Sequence, residues 1–245
     1  MMSNGPAFRQ PANQPTSPQP SAHRTDICRV IGGIIDLLRS ACRWQDCPVC
    51  DGPPTTIYNR LHRWLAYGIW RRLFDALVQT TDRDIHMIDS TSAKAHRSAA
   101  RGKGGRCSGS RSLARLQSEK IHAVVGSCGR PIPLKITPGQ RGDATIAASP
   151  LASLPPNRLC AADTAYDSNA LRAFLIARDT EPVIPNNPTR KHIQPFDSDA
   201  YKRRNIIERG FCRLKDWRRV ATRDDKLAIN FAATRYIAAI FSRRA

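Results

Sequence analysis

Tyr201-Lys-Arg-Arg-Asn-Ile-Ile-Glu-Arg-Gly-Phe-Cys-Arg-Leu-Lys215 reads as one amphipathic helix. At about 100° per residue, Arg204, Glu208 and Lys215 all fall within about 60° of Tyr201, so a phenol, a guanidinium, a carboxylate and an ammonium share a narrow face. Ile207, Phe211 and Leu214 form the apolar stripe beside it. Seated on a core by that stripe, the helix is expected to hold Glu208 at a core edge, out of open solvent. Taken alone, the same pattern fits a basic surface helix with an Arg-Glu pair four residues apart. The acidic positions upstream of it favour a site.

Upstream, the period switches from helix to strand at Asp84. Ile85-His-Met-Ile88 predicts a buried strand that ends on a carboxylate, Asp89. Ile121 to Val125 and Ile132 to Ile136 predict a hairpin around Ser127-Cys-Gly-Arg-Pro131, and Pro133, lacking an N–H, places the second of these strands at a sheet edge. Thr145 to Leu154 predicts an Ala-rich helix. Leu159-Cys-Ala-Ala162 is a further short strand, again ending on a carboxylate, Asp163. Asp167-Ser168 caps a helix carrying Leu171, Phe174 and Leu175; Pro182 to Pro185 is a last strand, and Leu227 to Phe241 an apolar helix over the sheet. If the strands bearing Asp89 and Asp163 are parallel neighbours, their ends lie about 4.8 Å apart, and a helix laid across them brings Glu208 to the same point. That is a cage of hard oxygen ligands suited to two divalent cations, Mg²⁺ or Mn²⁺, about 3.5 to 4 Å apart, and so to phosphoryl transfer. The edge position of the Pro133 strand agrees with the ribonuclease H order 3-2-1-4-5. The expected fold class is α/β, a ribonuclease H-like mixed sheet flanked by helices.

Residues 1–25 are rich in Pro, Ser, Gln and Asn and predict a disordered tail. Residues 26–83 predict three short helices. The first carries Ile31, Ile34, Ile35 and Leu38; the second, capped by Thr55 or Thr56, carries Ile57, Leu61, Trp64 and Leu65; the third turns Leu73 and Phe74 inward and Arg71 and Arg72 outward. Two readings fit them: a helix-turn-helix DNA-binding module, or a helical cap on the catalytic domain at 84–245.

Among 245 residues, 39 Lys and Arg against 20 Asp and Glu leave a net charge of +19. Such a surplus attracts polyanions through counterion release and makes double-stranded DNA the first partner to consider. Lys94 to Arg115 is aperiodic and predicts a mobile basic loop. Lys94, His96, Arg97, Arg101, Lys103, Arg106 and Arg111, with Lys120 just beyond, are its candidate phosphate contacts. No apolar run of about 18 residues and no signal-peptide pattern occurs, which points to the cytoplasm and away from membranes. The eight cysteines lack disulfide-framework spacing, and Cys47-Pro-Val-Cys50 lacks the second ligand pair of a zinc finger. A tyrosine recombinase using Tyr236 is set aside, because none of the six histidines has Arg three places on.

These motifs resemble the bacterial DDE transposases of the group named after insertion sequence five. Tyr201, Arg204, Glu208 and Lys215 match that family's Y-x2-R-x3-E-x6-K signature. Met87-Ile-Asp-Ser-Thr-Ser-Ala-Lys-Ala-His96 is similar to its first catalytic block and Ala162-Asp-Thr-Ala-Tyr-Asp-Ser168 to its second. The resemblance implies that Asp89, Asp163 and Glu208 bind the metal ions, that Arg204 and Lys215 hold phosphates, and that Tyr201 positions DNA. It implies hydrolysis at the element's terminal inverted repeats, attack of the freed 3′-hydroxyl on target DNA, and a dimer or larger assembly on DNA associated with the bacterial nucleoid. The resemblance covers about Asp26 to Phe241, with three departures: Thr164 replaces the usual Lys after the second Asp, Gly109 to Glu119 differs from the usual Gly-Arg-rich run, and the first 25 residues look unlike the family's opening helix. A DNA-binding copy without catalysis, and a ribonuclease H-like nuclease or resolvase, are the competing readings.

Overall fold

The structure is a computed structural model that describes residues 26–78, 84–95, 118–223 and 228–242. The candidate phosphate contacts His96, Arg97, Arg101, Lys103, Arg106 and Arg111, and the tail at residues 1–25, lie outside the described residues. Three helices come first: α1 (Ile27–Ser40), α2 (Pro54–Ala66) and α3 (Ile69–Val78). The sheet is built from β1 (Ile85–Ala95), β2 (Ser118–Val125), β3 (Pro131–Pro138), β4 (Leu159–Ala161), β5 (Glu181–Val183) and β6 (Thr222–Arg223). Between and after these strands run α4 (Asp143–Ala152), α5 (Asn169–Ile176), α6 (Ser198–Lys202), α7 (Asn205–Lys215), α8 (Arg218–Ala221) and α9 (Ala228–Ser242).

The strand order is β3-β2-β1-β4-β5, with β6 added alongside β1. β1 to β3 form an antiparallel meander, whereas β4 joins β1, and β5 joins β4, in parallel. This is the ribonuclease H-like order, and β3, the Pro133 strand, is at the edge as its missing N–H requires. Strand alternation divides the core. Ile85 and Met87 of β1, with Ile121, Ala123 and Val125 of β2, face α1–α3 and α7–α9. Ile88, Val124, Cys160 and Ala162 face α4 and α5. Burial on both faces is why these strands read as nearly unbroken apolar runs.

Several expectations are corrected. β1 does not end at Asp89: it stays paired with β2 as far as Lys94↔Ser118 and then with β6, so Asp89 lies mid-strand. Lys94 is therefore in the sheet, not in a loop. β6 escaped notice because two residues carry no periodicity. Phe74 turns inward as expected, but Leu73 points outward at 42% exposure and Trp70 takes the second buried position. α2 starts at Pro54 with no side-chain cap, because proline at the first helical position already supplies the starting φ. Of the first-helix residues, Ile34 and Leu38 are buried with Val30 and Leu37, while Ile31 and Ile35 are half-buried.

The stretch 201–215 is not one continuous α-helix. The N–H groups of Arg203, Arg204, Ile206 and Ile207 bond to carbonyls three residues back, so a tight turn separates α6 from α7. Ile207, Phe211 and Leu214 nevertheless seat α7 on the core as the stripe requires. The three N-terminal helices share that core: α3 packs on α9, and α1 on α8.

Candidate active site

Asp89 and Asp163 are placed by strand register. β1 and β4 pair in parallel as far as Met87↔Ala161, and each aspartate stands two residues beyond that pair. Asp89 follows Met87 in pointing toward α7. Asp163 leaves β4 and caps the turn Thr164–Tyr166, accepting the Ala165 N–H at 3.0 Å. Glu208 lies in the first turn of α7, where a carboxylate suits the helix dipole.

One guanidinium joins the three acids. Arg204 Nη2 lies 2.5 Å from Asp89 Oδ2 and 3.8 Å from Asp163 Oδ2, and its Nη1 donates to Glu208 Oε1 at 2.9 Å. The tight turn before α7 aims it there. Arg203 is anchored to Asp84 at 2.8 Å, and Asp84 in turn holds Arg158 at 2.8 Å, tying the turn to the start of β1 and the approach to β4. Exposure is graded across the site: side chains of Arg204 and Asp89 are 13% and 14% exposed, Asp163 34% and Glu208 61%. Glu208 is thus in solvent, contrary to the expectation of a core edge, because the apolar stripe beside it is narrow and Arg204, not hydrocarbon, covers it on one side.

Burial pushes the Asp89 carboxyl up to about 6, against the pull of the Arg204 guanidinium and the Ser90 N–H and with the push of Asp163 and Asp143. Such a perturbed acid beside other acids marks a candidate functional position. Asp143 is a residue that sequence reasoning missed. At the start of α4, on the opposite sheet face, it accepts from Ser90 Oγ at 2.8 Å and sits 3.1 Å from Lys120 Nζ, with His122 Nδ1 at 3.7 Å. Its only local signal was an acid in a helix first turn, which is common. Lys120, a candidate phosphate contact, is committed to Asp143. Tyr201 packs edge-on against Phe196, with ring centroids 6.0 Å apart, and Lys215 is exposed at the end of α7.

Three carboxylates from three elements around one cation are a hard-oxygen donor set that fits a divalent ion. The guanidinium is the stand-in cation. Among the described residues no three acidic, His or Cys side chains are grouped to hold an ion as they stand.

Residues 80–241 match the family described as "Transposase DDE domain". The chain belongs to the DDE transposase family. Residues 7–74 match a second family, "Putative transposase of IS4/5 family", which carries the resemblance upstream of Asp26. A Brucella ovis protein named "Putative transposase for insertion sequence element IS6501" is 41% identical over 113 residues, covering 46% of this chain and 87% of that protein. "Uncharacterized protein y4sN" of Sinorhizobium fredii is 34% identical over 86 residues, covering 34% of this transposase and 69% of that protein. Among solved structures, a chain of a pre-cleavage Mos1 transpososome aligns at a TM-score of 0.29 and 12% identity, over 94% of this chain and 82% of that one. A chain from a simian T-cell lymphotropic virus intasome aligns at 0.38 and 16%; the transposase spans 47% of its length. Among the described residues no helix is long and apolar enough to cross a membrane.

Proposed function

We propose that this transposase cuts double-stranded DNA at the terminal inverted repeats of its insertion sequence and joins the freed 3′-hydroxyl to target DNA. The observation that carries the reading is the convergence of Asp89, Asp163 and Glu208 on the Arg204 guanidinium. Those three carboxylates are the residues that would hold two Mg²⁺ or Mn²⁺ ions. When bound, such ions activate the attacking oxygen and take up charge on the leaving oxygen. Asp89, fixed by the Ser90 N–H at 2.7 Å and mid-strand, is the rigid member; Glu208, more than half exposed, is the member that adjusts as DNA arrives.

Arg204 is the resting counter-charge of the site and passes to a DNA phosphate once the carboxylates are otherwise neutralised. A guanidinium suits both partners, since its fork matches carboxylate and phosphate alike. Lys215 lies seven residues from Glu208, about 10 Å along the helix axis, within reach of a neighbouring phosphate. Tyr201, held by Phe196, supports the turn that aims Arg204. Residues 26–83 serve as the helical module and 84–245 as the catalytic domain, working in the bacterial cytoplasm as a dimer or larger assembly that brings two element ends together.

Glu208→Gln tests this. The variant is expected to keep duplex binding and its melting temperature while Mg²⁺-dependent cleavage of inverted-repeat DNA is lost. Retained binding by the parent protein with no cleavage at all would support the alternative, a copy that only binds DNA. Cleavage by the Gln variant at the parent's rate would remove Glu208 from the site.

A further inference from the structure

The turn between β2 and β3 docks on α7 through two glycines. Gly129, at φ +69°, lies so close that a Cβ there would stand 2.8 Å from Ile206 Cγ2 and 3.1 Å from the Ile206 carbonyl. On the helix side, a Cβ on Gly210 would stand 3.1 Å from the Gly129 carbonyl. Beside this contact opens a cavity of about 560 Å³ lined by Ser127, Cys128, Ile206, Arg209, Cys212 and Arg213. Its two charged groups are both guanidinia. Among the described residues neither forms an ion pair with a carboxylate, whereas the hollows beside Asp167 and beside Asp36 and Asp46 contain acids of their own. Arg213 is half-buried against the turn, its Nη2 3.0 Å from where a Cβ on Gly129 would stand.

We infer that this cavity is a phosphate-binding surface for the DNA strand flanking the site of cleavage. Unpaired guanidinia on a rigid wall, with a hydroxyl between turn and helix, recognise phosphodiester oxygens. Position supports it: Arg209 and Arg213 follow Glu208 by one and five residues, which places them within about 8 Å of it along α7 and about 100° and 140° around the helix. A strand whose scissile phosphate sits at Glu208 reaches them by continuing around α7 toward the β2–β3 turn. The inference rests on DNA being this transposase's substrate, and the experiment separates the two.

The cavity carries its own probes. Cys128 and Cys212 are exposed on its wall. Maleimide labelling of the full chain, read by mass spectrometry with and without a saturating duplex of about 30 base pairs, is expected to slow several-fold at Cys128 and Cys212. In Arg209→Ala/Arg213→Ala that protection disappears and the slope of log affinity against log salt falls by about 1.8, corresponding to two phosphates. Arg209→Lys/Arg213→Lys restores most of the slope, which guards against misfolding as the cause. Equal labelling of Cys128 and Cys212 with DNA demonstrably bound overturns this surface alone. Absence of salt-dependent duplex binding by the unaltered chain overturns the DNA reading itself.

Discussion

Arg204 Nη2 lies 2.5 Å from Asp89 Oδ2, across 115 residues of sequence, with both side chains withdrawn from solvent. The same side chain touches Asp163 and Glu208, so one positive charge offsets three negative ones. Arg204→Ala leaves the carboxylates facing one another. Without divalent ions its stability is expected to fall by about 2 to 3 kcal/mol, since the lost partner leaves a buried charge behind. Added Mn²⁺ should then raise its melting temperature more than it raises the parent's. Equal melting of the two proteins without metal, followed by equal Mn²⁺ shifts, would refute the counter-charge role.

Asp167 supplies the pH dependence. Its carboxylate is fully withdrawn from solvent; burial alone would raise its pKa, but the Asn187 N–H and the Arg172 and Arg190 guanidinia, each at 2.8 Å, outweigh that and hold it below the usual carboxylate range. A depressed folded-state pKa contributes stability that is present above the unfolded value of about 3.9 and is lost as pH falls through the folded value. The parent should therefore lose stability relative to Asp167→Asn as pH drops below about 4. Near neutrality the variant should be less stable by about 3 kcal/mol. Denaturant melts across the acid range check this, and a constant difference between the two proteins at every pH contradicts it.

Gly129 has no room for a side chain and a backbone angle that disfavours one. Gly129→Ala is expected to lift the hairpin turn from α7 and cost about 2 kcal/mol, combining the left-handed strain with the steric overlap. Thermal unfolding measures it. A variant as stable as the parent would mean that the turn relaxes freely.

Adjacent residues of α3 should behave oppositely. Phe74 is 1% exposed, with its ring 5.3 Å from that of Tyr236 on α9, whereas Leu73 is 42% exposed. Phe74→Ala is expected to cost about 3 to 5 kcal/mol and Leu73→Ala less than about 0.5. Comparable losses in urea melts would mean that α3 sits in another rotation.

Much of the architecture was written in local pattern. Apolar runs marked β1, β2 and β4, Pro133 marked the edge strand, and the Ile207, Phe211 and Leu214 stripe marked the buried face of α7. Each is a statement about one element and the solvent, and the hydrophobic effect enforces it wherever the chain folds. The wheel drawn from Tyr201 also brought Arg204 and Glu208 onto one face, and their ion pair is made. It failed at the turn of Arg203 and Arg204, because bonding to carbonyls three residues back rotates the chain faster than an α-helix does.

By itself, then, the sequence determined most of the elements, the edge strand and the three acids that deserve testing. Tertiary structure alone decided that Arg204 occupies the centre of those acids, that Glu208 stands in solvent while Asp89 is buried, that Asp143 braces Ser90 from behind, and that β6 extends the sheet beside β1. The reason is physical: periodicity fixes the direction of a side chain about its own axis, but the charge it meets is set by elements as far as 115 residues away, and only packing brings those together.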